Sequence, residues 1–257
     1  MADRQRAPVR LELRGGVARI ALNRPGRRNA LSAEMVELLG RHLARLASDP
    51  EVKLVTLSGV GADFCAGADL EEIAASQRGP IEDALADADA LGDLLVRIRR
   101  APVPVVAVVR GRAIGGGAGL AAACDIVLAH RDASFAFPEV RIGFVPAVVL
   151  AVLRRKVGEA SAFEMAIRGQ VLGAAEAARV GLATRVVEGD DFDDAVESYL
   201  DELAARPASA VSLTKRLFVG LDGVSFEDAI ARGAEANAIA RMTRSCRDGV
   251  RRFLDRR

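Results

Sequence analysis

Apolar residues follow two rhythms along this chain. Short alternating or near-continuous apolar runs at residues 17–23, 52–58, 103–109, 124–129 and 134–137 predict strands. Behind Ser32, a residue suited to cap a helix, Met35, Leu38, Leu39, His42, Leu43 and Leu46 recur at helical spacing and make one apolar stripe. His42 falls on that stripe and reads as a partly buried helix residue rather than a catalyst. A second helix is predicted over 81–98, with Leu85, Ala88, Leu91, Leu95 and Ile98 facing inward and Arg97, Arg99 and Arg100 at its negative end. From Ala147 onward helices dominate. One of them, over 192–203, puts Phe192, Ala195, Val196, Tyr199, Leu200 and Leu203 on one face, and two or three more run from Ala208 to the end. Strands alternating with helices, followed by helices alone, give an α/β class with a helical C-terminal part. The composition shift over 188–194 divides the chain into 1–190 and 191–257.

Composition narrows the picture by exclusion. A net charge of +1 with 28% charged residues carries no bulk bias toward nucleic acid. Arginine far outnumbers lysine, whose members are Lys53, Lys156 and Lys215, and this imbalance suggests no function. Cys65, Cys124 and Cys246 form no close pair, so neither a disulfide framework nor a zinc cluster is expected, and the reading is of reduced, buried thiols in a cytoplasmic protein. Residues 1–10 are polar and lack the apolar stretch of an export signal, and no run reaches the length of a membrane span.

The candidate chemistry lies in two glycine- and alanine-rich turns. One runs Gly111-Arg112-Ala113-Ile114-Gly115-Gly116-Gly117-Ala118-Gly119-Leu120, between an apolar strand and good helix formers. The other runs from Gly59 through Ala66, Gly67 and Ala68 to Asp69 and Leu70. Strand, glycine turn and helix start together aim unengaged N–H groups at a cavity and let another molecule approach the backbone. Each turn places a donor, near Ala68 and near Gly116, at the mouth of a helix. Two such donors meeting one oxygen are the hardware of an oxyanion hole, with Glu139 available to give or take a proton. Other readings stay open at this point. A single glycine run can be a helix entry that merely needs small residues. Gly117 to Ala122 also fits a dinucleotide fingerprint, with Glu139 twenty residues past Gly119, but that run does not directly follow its strand and the acidic residue lies beyond the next one.

At these residues the chain resembles the crotonase, or enoyl-CoA hydratase/isomerase, superfamily over nearly its whole length. The matching segments are Leu22-Asn23-Arg24-Pro25 with Arg28-Asn29-Ala30-Leu31, Phe64 to Leu70, Gly111 to Gly117, Ala123 to Ile126, Phe135 with Pro138-Glu139, and Gly181-Leu182-Ala183. The resemblance implies a spiral of repeated β-β-α turns with a helical trimerisation region at the C-terminus. It also implies homotrimers, often paired into hexamers, acting on acyl-CoA without a metal or redox cofactor, a nucleic acid or a membrane. It places the oxyanion donors at the N–H groups of Ala68 and Gly116 and the acid–base carboxyl at Glu139. Arg28, Ala30, Ala66, Asp69, Leu70, Gly115, Gly119 and Phe253 become the expected contacts to substrate and CoA, Ala66 at the adenine site and Phe253 near the adenine end of the CoA of the same or a neighbouring subunit. The arginines around Pro25-Gly26 would meet CoA phosphates, or else belong to a solvated turn. Asp69 also reads as the cap of a helix, and Cys65 as packing.

One departure stands out. Typical hydratases of the family carry a second catalytic glutamate where this chain has Gly119. The expectation is a hydro-lyase that adds water to a 2-enoyl-CoA through an enolate, without a second carboxyl at that position. Its alternatives are Δ3-Δ2 enoyl-CoA isomerisation by the single glutamate, a non-catalytic acyl-CoA- or RNA-binding relative, and a nicotinamide enzyme resting on the misplaced fingerprint alone.

Overall fold

The structure, a computed structural model, describes residues 7–189 and 191–256. Six strands form the main sheet in the order β1 (Val9–Arg14), β2 (Val17–Leu22), β3 (Leu54–Gly59), β4 (Val105–Val109), β6 (Ile126–His130), β9 (Arg185–Val187). All neighbours are parallel except the β1–β2 hairpin. The central strands β2, β3, β4 and β6 are largely buried on both faces, which explains their near-continuous apolar character. Ala18, Ile20, Leu22, Val55, Leu57, Val105, Ala107, Val127 and Ala129 point into the main core. Their alternates Val17, Leu54, Val106 and Leu128 point to the other face, where Phe192, Val196 and Leu200 of α8 (Phe192–Ala204) cover them.

A smaller sheet, β5 (Arg112–Ile114), β7 (Ser134–Ala136) and β8 (Val171–Gly173), stands beside the first. It is extended by single bridges from Cys65 to Ala113 and from Leu31 to Ala68. The chain therefore winds in repeated turns. Each supplies a strand to the main sheet, then a shorter extended piece to the second layer, then helix: β2, Leu31 and α1 (Ala33–Ala47); β3, Cys65–Ala68 and the helices α2 (Leu70–Ser76) and α3 (Ile81–Arg100); β4, β5 and α4 (Gly116–Ala123); and β6, β7 and the helices α5 (Ala147–Val157) and α6 (Glu159–Arg168). A short α7 (Ala174–Arg179) precedes β9. The α1 stripe is as the spacing predicts, with Met35, Leu39, Leu43 and Leu46 buried and the Ser32 hydroxyl accepting the Met35 amide at 3.3 Å. His42 is partly buried there, and desolvation with two neighbouring arginines lowers its pKa.

Several expectations change. The strand β1 begins at the end of the segment 1–10, read only as polar, and runs on through residues for which no element was expected, although Val9, Leu11 and Leu13 alternate with Arg10, Glu12 and Arg14; residues 1–6 lie outside the described residues. The strand β5 lies inside the stretch read as a turn. Leu85 does not face inward: the first half of α3 projects beyond the core, leaving Ile81 80% and Leu85 60% exposed, and only Leu94, Leu95 and Ile98 are buried. Ala195 is exposed and off the packed face of α8. The division at 190/191 falls at Asp190, outside the described residues, and α8 just after it still packs on the main sheet. Beyond it, α9 (Ala208–Gly220), α10 (Phe226–Met242) and α11 (Arg244–Leu254) bury no apolar side chain among the described residues, while Phe218, Phe226, Ile230, Met242 and Leu254 stand exposed.

Candidate active site

Backbone pairing sews the two glycine-rich turns together. The N–H groups of Phe64 and Cys65 donate to the Arg110 and Arg112 carbonyls at 2.8 and 3.0 Å, and the Ile114 N–H donates back to Cys65 at 2.9 Å. On the other side, Ala66 donates to the Arg28 carbonyl at 3.0 Å, Leu31 to Gly67 at 2.8 Å and Asp69 to Leu31 at 2.9 Å. Clamped on both edges, the 64–69 segment has its last turn against the start of α4. A methyl group on Gly116 would lie 3.6 Å from the Ala68 nitrogen, and one on Gly67 would lie 3.5 Å from the Gly116 nitrogen. The two amides expected from the sequence are thus neighbours. Among the described residues neither donates to another group, and Gly116 opens a helix whose first N–H groups have no partner within it.

The third group arrives from the next turn of the winding. Glu139 opens a 3-10 turn, Glu139–Ile142, directly after Pro138. Its carboxyl lies over the glycine turn: a methyl on Gly115 would stand 2.8 Å from Oε1. Gly115 has φ 51° and ψ −119°, a conformation open to glycine alone, and its N–H is fixed to the Ala136 carbonyl at 2.8 Å. Glycine there both makes the turn and leaves room for the acid. Oε2 of Glu139 is buried without a hydrogen-bond partner among the described residues, and burial pushes the carboxyl pKa up, against a smaller lowering by a backbone hydrogen bond. A half-buried acid with Oε2 unpartnered, beside two unengaged amides, can exchange a proton with whatever those amides hold.

Gly119 is placed differently from an open wall of this site. It is buried under Val149 of α5, and a methyl on Gly119 would lie 2.1 Å from the valine Cγ1. No larger side chain fits there unless α5 moves.

The remaining expected residues fall in two places, the turn and helix start beside the 64–69 segment and the last helix. Asp69 caps α2, accepting the Glu71 amide at 3.1 Å and the Arg24 guanidinium at 2.9 Å. Burial raises its pKa, but the Arg24 hydrogen bond, the Glu71 amide and the charges of Arg24 and Arg27 together hold it below the usual carboxylate value. Arg24 also reaches the Ala30 carbonyl at 2.7 Å, and Arg27 pairs with Glu71. Arg28 sits in the left-handed region at φ 51°, exposed, in no ion pair among the described residues, and its carbonyl binds Ala66. Leu70, at the start of α2, is 61% exposed. Phe253 is exposed on α11, whose main packing partners are α9 and α10. A cleft of about 430 Å³ between α1, α2 and α3 has Ala68 and Asp69 on its wall but not Gly116 or Glu139. Cys65 is buried, its thiol pushed up to about 12, and it packs against Gly117. Among the described residues no three His, Cys, Asp or Glu side chains are grouped to hold a metal ion, and no helix is long and apolar enough to cross a membrane.

Sequence reasoning gave no role to Asn29, Asp63 or Arg112. Asn29 is fully buried at φ 57°, and its amide donates to the carbonyls of Val60 and Asp63 at 3.0 and 2.8 Å. Asp63 and Arg112 grip each other through two bonds of 2.7 Å. A signal was there: Asp63 is the lone charge in 59–68 and Arg112 the lone charge in 111–123.

Comparison with known proteins points to one family. The model of a family described as enoyl-CoA hydratase/isomerase matches residues 12–257. A Thermus thermophilus relative, provisionally named an enoyl-CoA hydratase, is 38% identical over 95% of this chain and 96% of its own. An Escherichia coli relative named 1,2-epoxyphenylacetyl-CoA isomerase is 30% identical over 94% of this chain and 93% of its own. Among solved structures, an enoyl-CoA hydratase of Mycobacterium smegmatis superposes with a TM-score of 0.93 at 35% identity, covering 97% of both chains.

Proposed function

The chain belongs to the enoyl-CoA hydratase/isomerase family, and from that premise we propose that it adds water to a 2-enoyl-CoA, giving a 3-hydroxyacyl-CoA. The observation that carries the reading is the meeting of three groups: the Ala68 and Gly116 nitrogens side by side, and the Glu139 carboxyl over Gly115. The two N–H groups hold the thioester oxygen and become most valuable when it gains charge as an enolate, each worth about 3 kcal/mol. That polarisation draws electrons from the double bond and makes the β carbon electrophilic. Glu139, as carboxylate, takes a proton from water as the new C–O bond forms, then returns it to the α carbon. One water is consumed, its hydroxyl on the β carbon and its proton on the α carbon. The lifted pKa of Glu139 suits a group that must both accept and give back a proton near neutral pH.

Arg28, Ala30, Ala66, Asp69 and Leu70 form the edge along which the CoA would lie, with Gly115 beneath the reacting atoms. Phe253 would close over the adenine of its own or a neighbouring subunit's CoA. The bare apolar faces of α9, α10 and α11 would be covered by further copies of the chain, in a trimer or a pair of trimers.

A second reading, Δ3-Δ2 enoyl-CoA isomerisation, is favoured by Val149 sitting on Gly119. That packing leaves no space for a second carboxyl to hold water, whereas moving a proton from the α to the γ carbon needs only one base. Purified protein offered straight, branched and carboxylated 2-enoyl-CoAs beside the matching 3-enoyl-CoAs decides between them. Hydration of the 2-enoyl series, followed as loss of the conjugated thioester absorbance, is the expected result. Turnover of the 3-enoyl series alone would replace hydration with isomerisation.

A further inference from the structure

The two amide-bearing turns come from distant parts of the chain, and a donor pair is useful only if its spacing is fixed. One side-chain pair bridges them directly. Asp63 stands five positions before Ala68, and Arg112 four before Gly116. The Arg112 Nε and Nη2 donate to Asp63 Oδ1 and Oδ2 at 2.7 Å each, and the Arg112 backbone N–H also reaches Oδ1 at 3.1 Å. The Asp63 side chain is only 8% exposed, so its charge depends on this partner. Beside the pair lies the short ladder in which Cys65 donates to Arg112 and Ile114 to Cys65. Asn29 holds the Asp63 carbonyl from the third side. The approach is tight: a methyl on Gly111 would lie 2.0 Å from the Ala62 carbonyl oxygen and 3.0 Å from Asp63 Oδ1.

We propose that the Asp63–Arg112 fork is a positioning element of the catalytic site, fixing the spacing of the Ala68 and Gly116 amides through the ladder at residues 65 and 112–114. It touches no substrate and rests on the reading that these amides hold the thioester oxygen. A bidentate guanidinium–carboxylate fork fixes distance and angle together, which a single hydrogen bond or a lysine does not. An interaction that sharpens a site for the transition state alone lowers kcat when lost and leaves KM in place.

The test compares wild type with Asp63→Asn, which keeps the shape and loses the charge, Arg112→Lys, which keeps the charge and loses the fork, and the two combined. Steady-state kinetics on whichever enoyl-CoA the wild type turns over should show kcat down about 10- to 100-fold in each, the scale of an ångström-sized misplacement. KM should stay within about twofold, and the double variant should fall no further than the singles, as members of one unit do. Hydrogen exchange on peptides spanning 64–70 and 112–120 should show the Cys65 and Ile114 amides exchanging faster, with the thermal midpoint of the whole protein little moved. Three results would overturn the proposal: unchanged kcat with a loosened ladder, an unchanged ladder in both variants, or losses that track a collapse in the unfolding midpoint. A wild type that turns over no enoyl-CoA would sink the functional reading instead, while hydrogen exchange still reports whether the fork joins the two turns.

Discussion

The helix α4 is eight residues long, and its two ends are treated in opposite ways. At the Gly116 end an amide has no acceptor among the described residues, and the nearby Glu139 Oε2 has no donor. At the other end two lysines bind the chain leaving the helix. Lys156 Nζ donates to the carbonyls of Cys124 and Asp125 at 2.7 and 3.1 Å. Lys215 Nζ donates to the Ile98 and Val103 carbonyls and to Asp125 Oδ2, at 3.3, 2.9 and 2.7 Å. That end also borders the larger cavity, about 820 Å³, where Arg99 and Arg155 share Asp222. Cavity size and charge density both point to the lysine end, yet its charges are spent on closing helix ends and joining α9 to the core. Chemistry belongs where polar atoms are left unengaged, and on that measure the nearly chargeless glycine end is the stronger candidate.

The largest effect expected from this contrast is on turnover. Glu139→Gln keeps the shape of the side chain and removes its capacity to shuttle a proton, so kcat should fall on the order of 10²-fold or more. Steady-state rates on the preferred enoyl-CoA check it, and a wild-type rate would remove Glu139 from the mechanism. The lysine end should answer in stability instead. Lys215→Ala leaves Asp125 partly buried without its partner and two carbonyls without a donor, a loss of about 3 kcal/mol. Urea unfolding measures that loss, while kcat per folded molecule should stay at the wild-type value. A drop in kcat without a drop in stability would reverse the roles of the two ends.

How much of this was legible in the sequence depends on the range of each interaction. The central strands and α1 were, because period-two and 3.6-residue patterns are local and Ser32 marks its helix start within three residues. The two lysines were not: a chain with three lysines gives no sign that two of them converge at one helix end, 59 residues apart in sequence (215 − 156). Val149 over Gly119 is likewise a contact across 30 residues (149 − 119), so the resemblance could show that a carboxyl is missing at 119 but not what fills the space. Leu85 misled because a helix can keep its apolar spacing past the edge of the core. The glycine turns were legible as donors, but their meeting needed the winding of the chain, which no single segment encodes.

The smallest effect sharpens the comparison most, because it separates the cost of the open end from its use. Burial raises the folded-state pKa of Glu139 above its value in the unfolded chain. The folded protein therefore holds a proton on this group over a pH range where the unfolded chain has released it, and stability declines as pH rises through that range. Below the ordinary carboxyl pKa both states are protonated and the penalty is absent; above the raised value it is present in full. Glu139→Gln cannot ionise, so at neutral pH it should be more stable than wild type, by about 1 kcal/mol or less because the side chain is only half-buried. The advantage should disappear as pH falls through the carboxyl range, which denaturation midpoints measured in parallel at acid and neutral pH will show. A variant less stable than wild type at neutral pH would mean that the carboxylate is stabilised in the fold, and that the glycine end of α4 is as fully engaged as the lysine end.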